Sequence, residues 1–64
     1  MTSSTVASVG YDPGSLTLEV EFTSGAVYQY FDVPETVYRE LVTADSLGAY
    51  LNHNIKNSYR FAKL

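Results

Sequence analysis

Sixty-four residues without a cysteine make one small domain that no disulfide and no zinc–thiolate site can staple. Seven acids, four bases and one His give a net charge of −3, and a single imidazole is too few for most transition-metal sites. The apolar fraction, 45%, is ordinary for a folded globule, yet a chain this short buries only about 60% of its unfolded surface, so a second copy or a parent chain often adds stability.

The first 38 residues hold no Lys or Arg, so the basic start of a secretory signal is missing, as is the apolar run that follows it. No stretch approaches the roughly 20 apolar residues of a membrane span. The chain therefore reads as soluble, with no membrane partner, and most simply as cytoplasmic. The charge is unevenly spread. Residues 1–55 hold all seven acids and only Arg39, a net of −6, whereas 56–64 hold Lys56, Arg60 and Lys63 and no acid, a net of +3. Such asymmetry marks a basic contact patch or, more simply, attraction between tail and body.

In chain order, residues 1–4 are short and polar and are expected to fray. "TVASVGY" has the β-branched and aromatic character of a first strand. "DPGS" is a turn, with Pro13 at its second position and Gly14 expected to supply the positive φ that follows. In "LTLEVEF", Leu16, Leu18, Val20 and Phe22 alternate with Thr17, Glu19 and Glu21, the period-2 pattern of a half-buried strand. The next turn, "TSG", sets the register. A two-residue type I′ loop needs positive φ at Ser24 as well as Gly25, and Ser is poor there. A three-residue loop with only Gly25 left-handed is favoured.

Counting from that loop, Phe22 faces Ala26, Val20 faces Tyr28 and Leu18 faces Tyr30. Glu19 faces Gln29 and Glu21 faces Val27. Tyr28 and Tyr30 then join the apolar face and are mainly structural. The shorter loop would turn both rings outward as a stacking platform over the glutamates.

"DVPETVYRELVTA" reads as a helix with Pro34 at the first helical position and Glu35 at the positive end of the dipole. Val33, Val37, Leu41 and Ala44 form its apolar stripe, with Tyr38 beside it. "DSLGAYLNHNI" reads as a second helix capped by Asp45 or Ser46, with Leu47, Tyr50, Leu51 and Ile55 inward and Gly48 small enough for another backbone to approach. "NSYRFAKL" offers a short closing strand with Tyr59 and Phe61 on one face. The fold class is α+β: a three-stranded antiparallel meander, two short helices and a short C-terminal strand, as one domain over residues 5–64.

The segments "SSTVASVGYD", "LTLEVEFTSGAVYQYFDVPETVYREL" and "ADSLGAYLNHNIKNSYRF" together resemble the KTSC domain. That family occurs at the C-terminus of some lysyl-tRNA synthetases and as stand-alone bacterial chains. Its central mark is a Tyr-x-Tyr, here Tyr28-Gln29-Tyr30. Further family-like marks are Val33-Pro34, the Ala-x-Ser-x-Gly of Ala44, Ser46 and Gly48, and Ile55-Lys56 with Tyr59. The resemblance carries over no established activity, and the residues themselves give no reason to expect an enzyme or a cofactor. Its company with a tRNA-handling enzyme implies RNA or tRNA as a partner.

No catalytic or metal constellation stands out. His53 and Ser46 lie seven residues apart on one helix, roughly 10 Å, too far for a nucleophile–base hydrogen bond. Glu19 and Glu21 share a strand face with nothing apolar around them to shift a pKa. The candidate contact surface is instead Asn52, His53 and Lys56 on one helix side, continued by Asn57, Arg60 and Lys63. Amides and cations beside aromatic rings form a workable nucleic-acid surface. Three such cations neutralise about three phosphates, at a salt slope near 0.7 each on single strands, so the charge contribution is modest. The alternative is a protein-interaction or structural module with no nucleic acid.

Overall fold

The structure, a computed structural model, describes residues 6–64; the segment expected to fray lies outside them. The elements are β1 (Val6–Asp12), β2 (Thr17–Phe22), β3 (Val27–Tyr30), α1 (Glu35–Thr43), α2 (Leu47–Tyr50) with a π-helical continuation (Leu51–Ile55), and β4 (Phe61–Lys63). The four strands form one antiparallel sheet in the order β1-β2-β3-β4. The expected α+β class holds, and the closing strand is present beside β3. No helix among the described residues is long and apolar enough to cross a membrane.

The β2–β3 hairpin has the register that the three-residue loop demands. Leu18 pairs with Tyr30, Glu19 with Gln29, Val20 with Tyr28 and Glu21 with Val27. Gly25 has φ +95°, and the Phe22 N–H donates to the Ala26 carbonyl at 2.9 Å. Leu18, Val20 and Phe22 are consequently buried, as is Tyr30, while Tyr28 is half-buried.

The first turn differs from expectation. Positive φ falls on Leu16 (55°), not Gly14, and Leu16 stands outside the strand with an exposed side chain. The cause is local. The Asp12 carboxylate accepts from the Gly14 N–H (3.1 Å) and the Ser15 hydroxyl (2.7 Å), which lengthens the loop to residues 13–16. A left-handed leucine costs about 1–2 kcal/mol. It is held because the Leu16 carbonyl accepts from the Val33 N–H at 2.9 Å, giving a buried residue's donor its partner.

Pro34 is the N-cap of α1, one position earlier than expected, because its ψ of 151° is extended. Val33 and Leu41 anchor the helix in the core, and the Tyr38 ring stacks on Tyr11 at 4.9 Å. The Tyr11 hydroxyl donates to the Val33 carbonyl, fastening α1 to the β1 side of the sheet. Ser46, not Asp45, caps α2, its Oγ accepting from the Ala49 N–H at 3.2 Å. Gly48 has nothing within 4 Å of where a Cβ would sit, so no backbone approaches it. From Leu51 the helix widens. The Lys56 N–H donates five residues back, to the Leu51 carbonyl, at 2.9 Å. Leu51 and Ile55 remain buried, so the wider turn keeps the core face filled.

Candidate functional site

The inner face of the sheet continues onto β4, where Tyr30 pairs with Phe61 and Tyr28 with Lys63. Phe61 and Lys63 therefore share a face with the Tyr-x-Tyr pair. The helices do not extend over this last strand, and Phe61 is 55% exposed. Between β4 and the π-helical turn lies a groove of about 450 Å³ lined by Tyr28, Tyr30, Phe61, Asn52, Lys56 and Asn57.

Three rings form its aromatic side. The Tyr28 and Tyr30 centroids lie 6.4 Å apart at 20°, and Phe61 sits 5.9 Å from each, tilted by 45° and 38°. The Phe22 ring braces Tyr28 from within, edge-on at 5.7 Å. Tyr30 is 1% exposed, and its phenol is pushed above its ordinary pKa by burial first and by Tyr28 second. Among the described residues no fully enclosed side-chain oxygen or nitrogen lacks a partner. The Tyr30 hydroxyl has no partner among the described residues and so is not fully enclosed, and Tyr30 lines the groove.

The polar wall depends on the helix geometry. In a regular α-helix, positions 52 and 57 lie about 140° apart around the axis. The i→i+5 turn closes at Lys56, and Asn57, one residue beyond it, joins Asn52 and Lys56 in the lining.

Of the six residues expected at the contact surface, Asn52, Lys56 and Asn57 line the groove and Lys63 stands opposite Tyr28 on the same sheet face. His53 is exposed and not part of the lining. Arg60 also stands outside the lining. Its guanidinium pairs with Asp32 at 3.1 Å and lies over the Phe31 ring at 5.6 Å. The sequence reading missed the place of Phe61. Its alternation with Lys63 was visible, but the pairing of β4 with β3 was not.

Among the described residues the remaining charges are distributed to match. Arg39 is paired with Glu35 at 3.0 Å and Arg60 with Asp32, whereas Lys56 and Lys63 have no ion pair. Both unpaired cations thus flank the groove. A second depression, about 490 Å³, lies on the opposite face of the sheet, with Asp12, Ser15, Thr17, Glu19 and Gln29 in its lining. It holds two acids and no cation, and Glu19 already accepts from Gln29 at 3.2 Å. Its chemistry disfavours an anion.

The KTSC domain family matches residues 2–59 of the chain. An uncharacterized protein from Stutzerimonas stutzeri is 48% identical over 63 residues, 97% of this chain and 89% of that protein. A lysine–tRNA ligase from a Nostoc species is 44% identical over 54 residues, 84% of this chain but only 10% of the ligase. The crystal structure of a KTSC domain protein from Yersinia pestis superposes with a TM-score of 0.91 at 34% identity, covering 100% of this chain and 90% of that one. With the Tyr-x-Tyr strand, the fold and these likenesses in agreement, the chain belongs to the KTSC domain family.

Proposed function

We propose that this domain is a non-catalytic accessory module that binds single-stranded RNA, tRNA included, through the groove between β4 and the π-helical turn. One observation carries the reading: both lysines without an ion pair among the described residues flank a groove with aromatic rings on one side and amides on the other. Stacking on aromatic rings with cations for the backbone is how proteins hold unpaired RNA. The matching segment in a lysine–tRNA ligase supports the same direction, because that protein's name places it with tRNA. A cytoplasmic setting accompanies that role. Two cations give a salt slope of only about 1.4 on single strands, so affinity falls about fivefold between 50 and 150 mM salt. Binding is therefore weak and shallow in its salt dependence, as suits an appended module.

The pairing of Arg60 with Asp32 and the acidic body favour a second reading, a protein-interaction module. Titrating the isotope-labelled domain with bulk tRNA and with single-stranded RNA at low salt separates the two. Shifts at Asn52, Lys56, Asn57 and Phe61 support the RNA module. Silence throughout, or shifts confined to the Glu19 and Glu21 face, overturns it in favour of a protein partner.

A further inference from the structure

Resting on the RNA reading, we infer that the groove is a station for a single unpaired purine nucleotide, its base on Phe61 and Tyr28, its edge on Asn52 and Asn57, and its phosphate on Lys56 and Lys63. The first ground is unmet hydrogen bonding. Several polar side chains elsewhere are engaged within the domain: Tyr11 with the Val33 carbonyl, Tyr50 with Glu40, Gln29 with Glu19, Asn54 with the Tyr50 carbonyl, Arg60 with Asp32. Among the described residues Tyr28, Tyr30, Asn52, Lys56 and Asn57 have no such bond, and these are the polar side chains of the groove lining. Tyr30 is the clearest case, since it is buried, lines the groove and has no hydrogen-bond partner for its hydroxyl among the described residues.

The second ground is size and shape. A groove of about 450 Å³ falls within the roughly 300–1,000 Å³ of small-ligand sites and suits one nucleotide rather than a duplex. Phe61 leaves more than half its surface in water on a three-residue strand, 5.9 Å from the Tyr28 ring. Set 45° apart, the two rings give a base lying flat on Phe61 an edge contact with Tyr28, which a two-ring base reaches more fully than a single-ring one.

The third ground is the edge chemistry. Purines carry N7 beside an exocyclic amine or carbonyl. An asparagine carboxamide matches the N6/N7 pair of adenine, and its amide N–H can donate to N7 or O6 of guanine. Both asparagines stand on the helical wall. Pyrimidines lack N7 and the second ring, so they lose both an edge contact and stacking area.

The test titrates the labelled domain with the four 5′-mononucleotides, with eight-nucleotide strands of A or of U, and with inorganic phosphate. The expected result is that AMP and GMP shift the Asn52 and Asn57 side-chain amides and the Phe61 amide. They should do so at least about fivefold more tightly than CMP and UMP, the low end of one stacking contact. Phe61→Leu, checked for its fold by circular dichroism, should erase the purine preference, and Lys56→Gln should weaken all four nucleotides alike. Equal binding of A and U strands overturns the purine station and leaves the RNA reading standing. Phosphate alone reproducing the shifts overturns the base contacts. No shift with any strand overturns the station and the RNA reading together.

Discussion

Replacing Gly25 by L-alanine and by D-alanine isolates the feature on which the tyrosine register depends. Gly25 has φ +95°, and no heavy atom lies within 4 Å of a Cβ built there. An added methyl group therefore meets open space, and the whole effect is in the backbone. An L-residue at positive φ costs about 1–2 kcal/mol. Restricting the unfolded chain returns about 0.5 kcal/mol of that. The L-variant should lose roughly 0.5–1.5 kcal/mol, whereas D-alanine, at home at positive φ, should gain about 0.4–1 kcal/mol. A 64-residue chain is within reach of chemical synthesis, and urea unfolding followed by circular dichroism measures both variants. With a denaturant slope near 1 kcal/mol/M for so small a protein, the two midpoints should differ by about 1–2.5 M. Coincident midpoints would mean that residue 25 is not left-handed. The pairing of Val20 with Tyr28 and Leu18 with Tyr30 would then lose its basis, and with it the groove.

Leu18→Ala, at a fully buried position, should cost about 2–5 kcal/mol in the same assay, and Glu19→Ala on the opposite face under about 1 kcal/mol; equal losses would refute the facing of β2. Gly48→Ala should stabilise by about 0.5–1 kcal/mol, since the site is open and helical; destabilisation would reveal a close neighbour. The Tyr50 phenol is held above its ordinary 10.0 first by its hydrogen bond to Glu40, so its contribution is full below that pH and is lost as pH rises through the folded value. Tyr50→Phe should accordingly flatten the alkaline fall in thermal midpoint; an unchanged alkaline limb would refute the link. Lys56→Ala should reduce the salt slope of RNA binding by about 0.7, while Arg60→Ala, whose cation Asp32 already neutralises, should leave it unchanged; the reverse order would place the phosphate contact at Arg60.

The β2–β3 hairpin was legible because one loop chemistry, Thr23-Ser24-Gly25, settles every cross-strand pair by counting. The Asp12–Ser15 turn was not. Proline and glycine at their usual positions point to a tight turn, but the Asp12 side chain bonds to Gly14 and Ser15 and stretches the loop until Leu16 must be left-handed. Nothing in a leucine announces that. The placement of Asn52 and Lys56 together follows from helical spacing, whereas Asn57 comes one residue after a π turn that has no local sequence signature, since Leu51 and Ile55 have the spacing of an ordinary α-helix. Arg60 looked like one more basic residue of the tail. Its pairing needs Asp32, 28 positions earlier, which only the return of β4 beside β3 brings within 3.1 Å.

The same return explains why a domain this small has a groove at all. Tyr11, Tyr38 and Val33 tie α1 to the β1 side of the sheet, and the helix from Leu47 to Ile55 reaches inward with Leu51 and Ile55. Both helices are thus spent on covering Leu18, Val20 and Tyr30, a core that a short, cysteine-free chain needs intact. β4 then adds a strand's width, close to 4.8 Å, beyond that cover. Its inner positions, Phe61 and Lys63, have sheet neighbours on one side and no helix above. Tyr28 and Tyr30 connect the two regions. One edge of the pair closes the core through Phe22, Val20 and Leu18, and the other borders the groove with Phe61. The Tyr-x-Tyr strand therefore closes the core and borders the groove at once, and substitutions there would confound stability with the proposed binding. Phe61, Asn52 and Asn57 lie outside the buried core, and it is at those positions that binding separates from folding.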